Sequence, residues 1–316
     1  MSIYLVTGGA GFIGSHIVAE LVKRKQVVRV LDNFSTGRRQ NLSECWDKLE
    51  VIEGDIRDYP LVKEVTKGVD FLLHQAALPS VERSIKDPLT TNQVNVNGTL
   101  NLLEASKLNR IKVFVMASSS SVYGNTPKLP KKEKMLPDPL SPYALSKLAG
   151  ERYCRLFHEL YGLNTVCLRY FNVFGPKQDP NSHYAAVIPR FILAIVKGER
   201  PTIYGDGKQS RDFTYVDNVV KANLLACENR SSWGEVFNIA CGRRFSVNRL
   251  YKTLSLTLGN DLKPFYTKPR PGDVRHSLAD ISKSKKILKY SIQVDFKSGL
   301  KQTVNWFLTN RAHWEN

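Results

Sequence analysis

A glycine turn between two apolar segments near the start of the chain constrains its fold more than any other feature. An apolar run over residues 3–6 leads into the sequence GGAGFIG, after which apolar residues recur at helical spacing. Glycines three residues apart in a strand-turn-helix unit let the backbone approach a diphosphate, and the helix N-terminus points its amides at that anion. The pattern therefore predicts a dinucleotide site. Its predicted members are Gly8, Gly11, Phe12, Ile13 and Gly14.

The residue that closes the next apolar run indicates which dinucleotide is bound. Asp32 follows the run 27–31, where a carboxylate accepts hydrogen bonds from the adenosine ribose and disfavours a 2′-phosphate. NAD is therefore predicted over NADP, although Arg38 and Arg39 leave NADP open because nearby arginines can hold that phosphate. Two following loops supply further predicted contacts to the adenosine end: Asn33, Ser35, Thr36, Gly37, Asp55 and Ile56.

The whole-chain composition predicts a globular protein with one large α/β unit and a smaller lobe. The length of 316 residues and a hydrophobic content of 42% suit a sizeable core, and no apolar stretch approaches a membrane span. Because the first strand begins at residue 3, no room remains for a signal peptide, and a cytoplasmic location is predicted. The five cysteines are scattered without close pairs, so neither a disulfide framework nor a metal site is predicted.

The net charge of +17 raises the question of nucleic-acid binding. Lys and Arg outnumber Asp and Glu by 5 in residues 1–150 and by 12 in residues 151–316. The excess is interspersed with acidic and apolar residues and lacks the basic-aromatic interleaving of a single-strand binder. We therefore predict an anionic small-molecule substrate rather than a nucleic-acid partner.

Polar and small residues follow two further apolar runs. His74 ends the run 69–73 and is interpreted as a packed strand-end residue, because no acids or cysteines accompany it. The run 111–117 leads into four serines at 118–121, and strand ends of a parallel sheet are where chemistry is found. Taken alone, a serine run is more typical of a polar turn. The residues after His74 include two alanines, whose small side chains would let the cofactor backbone pass closely. The predicted cofactor contacts here are Gln75, Ala76 and Ala77.

Tyr143 and Lys147 lie one turn apart on a helix predicted over 141–161, so their side chains share a face. A phenol ordinarily titrates near 10, and a cation held beside it favours the phenolate. In a chain with a dinucleotide site and a strand-end serine, this pair is interpreted as catalytic.

These motifs, taken together, carry a family resemblance that spans the chain. The chain resembles the extended short-chain dehydrogenase/reductases, and among them the UDP-sugar 4-epimerases, especially the UDP-N-acetylglucosamine branch. The likeness implies a Rossmann-type doubly wound parallel sheet with a smaller α/β substrate lobe. The implied domains are an NAD-binding domain over 1–171, rejoined by about 217–240, and a nucleotide-sugar-binding lobe over 172–316. The matching stretches are 8–14, 74–78, 169–176, 178–181, 184–189, 210–213 and 270–277.

The resemblance also implies roles for individual residues. Ser119 aligns with the catalytic serine, Tyr143 with the base and Lys147 with its cationic partner, while Tyr170 and Val173 line the nicotinamide pocket. Two of the implied substrate residues, both arginines, would hold the diphosphate, and a small residue at 277 admits an N-acetyl group. The implied substrate-binding residues are Ser80, Ser119, Ser121, Tyr143, Asn172, Ala186, Val187, Tyr204, Gln209, Arg211, Arg270, Asp273 and Ser277.

The implied reaction interconverts UDP-N-acetylglucosamine and UDP-N-acetylgalactosamine, and the unacetylated pair, through a 4-keto intermediate with NAD bound. A homodimer paired through helices near 94–107 and 141–161 is implied as well. Pro79 stands where the acetamido branch usually has glycine, which leaves a UDP-glucuronate-type 4-epimerase open.

Two other functions remain possible at this stage. A nucleotide-sugar dehydratase or decarboxylase of the same superfamily needs an acidic group beside the catalytic serine, where this chain has Ser120 and Ser121. A non-catalytic NAD-binding sensor on this scaffold commonly lacks the tyrosine or the lysine, and both are present here.

Overall fold

The computed structural model describes residues 1–181, 185–260, 262–269 and 274–314. Strands and helices alternate through the first half. The strands are β1 (Ile3–Thr7), β2 (Val27–Asp32), β3 (Leu49–Glu53), β4 (Phe71–His74), β5 (Val113–Ser119) and β6 (Thr165–Tyr170). The helices are α1 (Phe12–Lys23), α2 (Tyr59–Val65), α3 (Val81–Lys86), α4 (Pro88–Asn92), α5 (Gly98–Leu108) and α6 (Pro142–Tyr161). Shorter turns of 3₁₀ or π type lie at Arg39–Lys48, Gln93–Asn97 and Ser120–Tyr123.

The second half mixes short strands with four longer helices. Its strands are β7 (Val173–Phe174), β8 (Thr202–Tyr204), β9 (Ser210–Arg211), β10 (Thr214–Tyr215), β11 (Glu235–Ile239), β12 (Phe245–Ser246) and β13 (Phe265–Thr267). Its helices are α7 (Val187–Val196), α8 (Val216–Glu228), α9 (Val247–Leu258) and α10 (Phe296–Thr309). Short turns lie at Arg230–Ser232, Ser284–Leu288 and Arg311–His313. No helix of the described ranges is long and apolar enough to cross a membrane.

A seven-stranded parallel sheet organises the described residues, in the order β11-β6-β5-β4-β1-β2-β3. The central strands are apolar and buried on both faces, as expected for a parallel sheet covered by helices on each side. The strand order reverses between β1 and β4, and the carboxyl ends of the strands at such a point form a ligand crevice. The Rossmann-type doubly wound fold predicted from the sequence is confirmed.

Helices cover both faces of this sheet. Helices α1 and α8 pack together on one face, and α2, α5 and α6 pack on the other. Because α6 lies against β5 and β6, its buried side brings catalytic candidates to the carboxyl end of β5. The hydrophobic core on the α1 and α8 side of the sheet continues without a break into the second half of the chain. It includes Val6, Phe191, Leu250 and Phe307.

The second half also returns to the large sheet. Strand β11 pairs in parallel with β6, and three two-stranded sheets, β7 with β10, β8 with β13 and β9 with β12, build the described part of the lobe. The strand predicted over 236–240 therefore lies on the sheet, and the helix predicted over 217–227 is α8. The domain limits at residue 171 stay a prediction, since one hydrophobic core spans that position.

Local signals account for the ends of α6. The Ser141 hydroxyl accepts a hydrogen bond from the Ala144 amide at 3.1 Å, Pro142 occupies the first helical position, and Gly162 ends the helix with φ of 70°. The helix predicted over 92–107 is interrupted by the π turn at 93–97. Within that turn, buried Asn95 accepts from the Leu78 amide at 2.8 Å, a tertiary contact that periodicity does not reveal.

Candidate active site

The glycine turn forms a cradle into which side chains do not fit. Gly8 has φ of 67°, and a Cβ atom there would lie 2.6 Å from the Ala76 nitrogen. A Cβ atom at Gly14 would lie 2.1 Å from the Gly8 oxygen, so α1 packs directly against the turn. Gly11 stands at the N-cap of α1 and has no side chain to bond the first helical amides. The cradle fits a dinucleotide diphosphate, as the sequence predicts.

Asp32 ends β2 beside this cradle. Its carboxylate accepts hydrogen bonds from the amides of Ala10 at 2.9 Å and Phe34 at 2.8 Å. Burial raises the pKa of Asp32, and the two amide bonds act against that shift. Gly37 packs against it, because a Cβ atom there would lie 2.9 Å from both carboxylate oxygens.

The two arginines that left NADP open are engaged elsewhere. Arg38 donates to the Asp179 carboxylate at 2.7 Å and to the His313 carbonyl at 3.2 Å. Arg39 pairs with Glu53 and lies 4.4 Å from the centre of the Phe34 ring. These pairings favour NAD over NADP.

The loops beyond Asp32 meet each other at the surface. Asn33 donates to the Asp55 carboxylate at 2.9 Å, and the Arg57 guanidinium lowers the pKa of Asp55 to about 2. Ile56 is buried and packs against Gly98. Ser35 and Thr36 are exposed on the same loop. The Asp58 carboxylate caps α2 by accepting from the Leu61 amide at 3.1 Å.

The nicotinamide-side candidates lie at the ends of β4 and β6. The Tyr170 hydroxyl donates to Gln75 at 3.3 Å and to Asn223 at 3.1 Å, and burial raises its pKa. Sequence reasoning missed Asn223, because it belongs to a helix far along the chain. The Ala76 amide donates to Thr7, Ala77 follows it, and the Val173 carbonyl accepts from Gln178 at 3.4 Å.

His74 is a packed strand-end residue, as predicted. Its ring nitrogens bond the hydroxyls of Thr7 at 2.8 Å and Thr99 at 2.9 Å. Burial lowers the pKa of His74 to about 3, so the ring is neutral at pH 7. It supports the end of β4 rather than binding a metal or transferring protons.

Ser119 and Tyr143 meet at the carboxyl end of β5. The Ser119 hydroxyl accepts from the Ser121 amide at 3.1 Å and lies near enough to the Tyr143 phenol to affect its pKa. Burial raises the pKa of Tyr143, and the nearby Ser119 hydroxyl lowers it in part. A serine and a tyrosine placed side by side can exchange a proton with a substrate oxygen.

Lys147 lies one turn beyond Tyr143 on α6. Its side chain is buried, and the ammonium group donates to the Ala117 carbonyl at 2.9 Å. Burial lowers the pKa of Lys147 to about 8. The role of Lys147 as the cation that favours the Tyr143 phenolate stays a prediction.

A buried ion pair supports this strand end. Glu151, on the same face of α6 as Lys147, accepts from Ser118 and from Arg169 at 2.7 and 2.8 Å. The Arg169 guanidinium lies 4.7 Å from the centre of the Tyr123 ring. Sequence reasoning missed this network, although residue 151 continues the 143 and 147 spacing by one more turn.

Two predicted substrate residues present buried polar atoms. Within the described ranges, neither the Ser121 hydroxyl nor the Gln209 side-chain oxygen has a hydrogen-bond partner. The Gln209 amide group donates to the Tyr204 carbonyl at 2.7 Å. Unpartnered buried polar atoms are costly, so a polar ligand is expected to bond them.

The remaining substrate candidates are spread over the lobe. Ser277 is buried, and its amide donates to the Ser210 carbonyl at 2.9 Å. The Arg211 guanidinium donates to the same Ser210 carbonyl at 3.0 Å, so β9 brings positions 211 and 277 together. Arg270 and Asp273 lie outside the described residues.

Three candidates lie at element boundaries. The Ser80 hydroxyl caps α3 by accepting from the Arg83 amide at 3.0 Å. Asn172 has φ of 37° and donates to the Asp212 carbonyl at 3.4 Å. Ala186 and Val187 form the start of α7.

With this geometry in place, comparison with known proteins identifies the class. Residues 4–240 match the model of the NAD dependent epimerase/dehydratase family. The chain belongs to this family, and its cofactor is NAD.

Similar proteins handle different sugars. The chain is 46% identical to the UDP-N-acetylglucosamine 4-epimerase from Methanobrevibacter ruminantium M1, solved with UDP-N-acetylmuramic acid, with a TM-score of 0.94 over 98% of both chains. It is 40% identical to the UDP-glucose 4-epimerase of Thermotoga maritima, solved with UDP-glucose, with a TM-score of 0.94 over 98% of this chain and 99% of that one. It is also 35% identical to the UDP-glucuronate 4-epimerase of Thermodesulfobacterium geofontis over 98% of this chain and 97% of the relative.

Proposed function

We propose that this protein is a UDP-sugar 4-epimerase that retains its NAD through the reaction. The observation that carries the proposal is that Tyr143 of α6, one turn from buried Lys147, lies beside Ser119 at the carboxyl end of β5. It is supported by the family membership of the chain and by three similar 4-epimerases.

In the proposed mechanism, Tyr143 removes the proton from the sugar 4-hydroxyl, and Ser119 orients that oxygen and passes the proton. NAD, when bound, supplies the hydride acceptor and donor at carbon 4, and its oxidised ring adds positive charge that favours the phenolate. Lys147 contributes a second positive charge from its buried position. The 4-keto sugar turns over in the pocket, and Tyr143 returns the proton after inversion, so no net oxidation occurs.

We assign cofactor binding to the residues that surround the cradle and the ends of β2, β3, β4 and β6. The cradle would hold the diphosphate, the Asp32 carboxylate the ribose, and Tyr170 the nicotinamide side. The full proposed set is Gly8, Gly11, Phe12, Ile13, Gly14, Asp32, Asn33, Ser35, Thr36, Gly37, Asp55, Ile56, Gln75, Ala76, Ala77, Tyr143, Lys147, Tyr170 and Val173.

We further propose that the acetylated pair, UDP-N-acetylglucosamine and UDP-N-acetylgalactosamine, is accepted together with the unacetylated pair. The 4-keto sugar must present both faces, so its 2-substituent has to fit in two places. Ser277 is small and buried, and a tyrosine in its place would add a ring to this part of the lobe. Arg211 and Arg270 are the proposed partners of the substrate diphosphate, which suits the guanidinium geometry.

Rival reactions are disfavoured by the residues around Ser119. Dehydration or decarboxylation needs an acidic group beside the serine, and Ser120 occupies that position. Glu151 accepts a hydrogen bond from Ser118, which belongs to the same run of serines, but its carboxylate is paired with Arg169. A UDP-glucuronate-type reaction remains the second candidate, supported by the similar glucuronate 4-epimerase and by Pro79 in place of glycine.

The test is to incubate the purified protein separately with UDP-N-acetylglucosamine, UDP-glucose and UDP-glucuronate, and to separate the epimers. We expect products of unchanged mass from the first two substrates, without added NAD. Loss of water or carbon dioxide in the mass spectrum, or turnover of the glucuronate alone, would contradict the proposal.

Ser277→Tyr tests the choice of sugar in the same assay. We expect activity on the acetylated pair to fall at least about tenfold, equivalent to about 1.4 kcal/mol, while activity on the unacetylated pair is spared. Ser277→Ala is the matched control and should retain both activities, because alanine keeps the volume open. Equal losses on both pairs in the tyrosine variant would remove residue 277 from the specificity site.

A further inference from the structure

The 311–314 segment packs against the loop that follows β2, far from the Ser119–Tyr143 pair in sequence. Its Trp314 side chain is buried in the main core and donates to the Phe307 carbonyl at 2.9 Å. The Trp314 carbonyl accepts from Asn181. The segment is therefore anchored on both sides, and its position does not depend on the loop it meets.

Asn41 lies beneath this segment and forms hydrogen bonds with three other parts of the chain. The residue is buried, and its amide group donates to the Ala10 carbonyl, inside the glycine turn, at 2.7 Å. Its side-chain oxygen bonds the His313 Nε2 at 2.8 Å, and its main-chain carbonyl accepts from Lys177 at 2.8 Å. Because that oxygen can only accept, His313 must carry its proton on Nε2.

Arg38 reinforces the same connection. Its main-chain amide donates to the Ala10 carbonyl at 3.0 Å, and its guanidinium bonds the His313 carbonyl at 3.2 Å and Asp179 at 2.7 Å. The Ala10 amide, in turn, donates to Asp32 at 2.9 Å. A continuous chain of hydrogen bonds thus runs from His313 through Asn41 and Ala10 to the carboxylate expected to hold the ribose.

We propose that His313 and Asn41 are positioning residues that hold the NAD-binding loop closed and slow the release of NAD. The inference rests on the proposed NAD site at the glycine turn. An epimerase of the proposed kind returns hydride from the same cofactor molecule that accepted it, so release of the reduced cofactor between the two half-reactions would abort turnover. The hydrogen bonds from Asn41 and Arg38 to Ala10 hold the glycine turn in place without touching the catalytic residues, and would therefore help to retain the cofactor.

The experiment measures NAD dissociation from purified holoenzyme, by following exchange against labelled NAD in the absence of any sugar. His313→Ala removes the bond to Asn41 and should raise the NAD dissociation rate about tenfold, equivalent to about 1.4 kcal/mol. His313→Gln retains an amide donor and should recover a rate close to that of the parent. Arg311→Ala alters an exposed residue of the same segment and serves as the matched control.

A double-mutant cycle separates positioning from general destabilisation. If the two residues act through one bond, Asn41→Ala combined with His313→Ala should release NAD no faster than the more severe single variant. The initial rate with saturating NAD should change much less than the dissociation rate, because neither side chain touches Ser119 or Tyr143. Equal dissociation rates for His313→Ala, Arg311→Ala and the parent would overturn the proposal, as would failure of glutamine to restore retention. The readout needs no sugar turnover, so the epimerase assignment can fail independently of it.

Discussion

The phenol of Tyr143 is held protonated by its surroundings, because burial raises its pKa and the nearby Ser119 hydroxyl offsets this only in part. Lys147 lies four residues further along α6 and is also buried. Burial lowers its pKa to about 8. Positive charge brought by the oxidised cofactor is therefore what would favour the phenolate in the proposed mechanism. The residue spacing alone predicted the pair but could not predict that the ammonium is bonded to Ala117.

Tyr143→Phe tests this assignment at the level of one oxygen atom. We expect NAD to remain bound and the rate with saturating substrate to fall about 10²- to 10⁴-fold, the usual contribution of a general base. In the parent with NAD bound, the cofactor's positive charge should bring the Tyr143 pKa below that of Lys147, so the rate should rise with pH as the phenol is deprotonated and then fall as Lys147 loses its charge above about 8. The phenylalanine variant should lack the rising limb of this profile.

The matched control is Tyr153→Phe, which removes a hydroxyl from a half-buried tyrosine on the same helix. It should keep the parent rate and pH profile. Bound NAD is measured by chromatography after denaturation, and rates are measured by separation of the epimers. A Tyr143→Phe variant as active as the parent would show that another group is the base.

Residues that work through distant partners were not predictable from the sequence. From the sequence, Glu151 is one residue of a helix and Arg169 one residue of a strand. They form a buried ion pair only because α6 packs on β6. Asn41 likewise appears in a polar loop, and its role depends on His313, 272 positions away. Asp32 was predictable, because it depends on a local strand-turn-helix pattern.

At the scale of elements, α1 and the glycine turn form one rigid unit. The helix approaches the turn so closely that a methyl group at residue 14 would meet the Gly8 oxygen at 2.1 Å, while one at residue 11 would meet it at 3.1 Å. The two glycines therefore serve different purposes: Gly14 for packing of helix on turn, and Gly11 for approach of a ligand.

Gly14→Ala and Gly11→Ala should separate these purposes. Gly14→Ala should lower the free energy of unfolding of the NAD-free protein by about 1–3 kcal/mol, because overpacking displaces α1, and should weaken NAD binding as well. Gly11→Ala should leave the NAD-free stability near that of the parent but weaken NAD binding. Denaturant unfolding and NAD titration measure the two effects. Similar unfolding free energies for both variants would refute the distinction.

The elements best predicted from the sequence carry their own end signals. Helix α6 has a serine cap, a first-turn proline and a terminal glycine, so its predicted span of 141–161 agrees with the observed Pro142–Tyr161. The π turn at Gln93–Asn97 was not predicted, because its buried Asn95 bonds residues of another loop and of α6. Tertiary contacts, rather than local propensity, set the shape of that segment.

For the whole molecule, the sequence predicted the doubly wound fold but not how its last residues are used. Near the end of the chain, the structure has α10 and a buried Trp314 packed on the main core. The buried residues of α10 lie on one helix face, but their packing partners, α9 and β10, cannot be predicted from periodicity. The 311–314 segment joins the dinucleotide half, which also explains why one core spans the predicted domain limit.

Three exposed leucines, together with exposed Arg152, lie on the face of α6 opposite Tyr143 and Lys147. Leu145, Leu156 and Leu160 share this face and are 57%, 45% and 67% exposed, and Leu108 of neighbouring α5 is 49% exposed. Contiguous exposed apolar residues on adjacent helices are typical of an interface. We propose that a second copy of the chain covers this face, in the homodimer that the family resemblance implies, through α5 and α6 of each protomer.

Leu156→Glu tests the proposed dimer, because a charge at the centre of the apolar face would have to be buried without a partner on association. We expect the dissociation constant of the dimer to rise at least about 100-fold, so that the variant is a monomer at micromolar concentration. Leu256→Glu, at a leucine of α9 that is 74% exposed, introduces the same charge away from the face and should leave the dimer intact. Sedimentation velocity over a concentration series measures both variants and the parent. A monomeric parent, or a Leu156→Glu variant that associates as strongly as Leu256→Glu, would mean that this face of α6 does not hold a second copy.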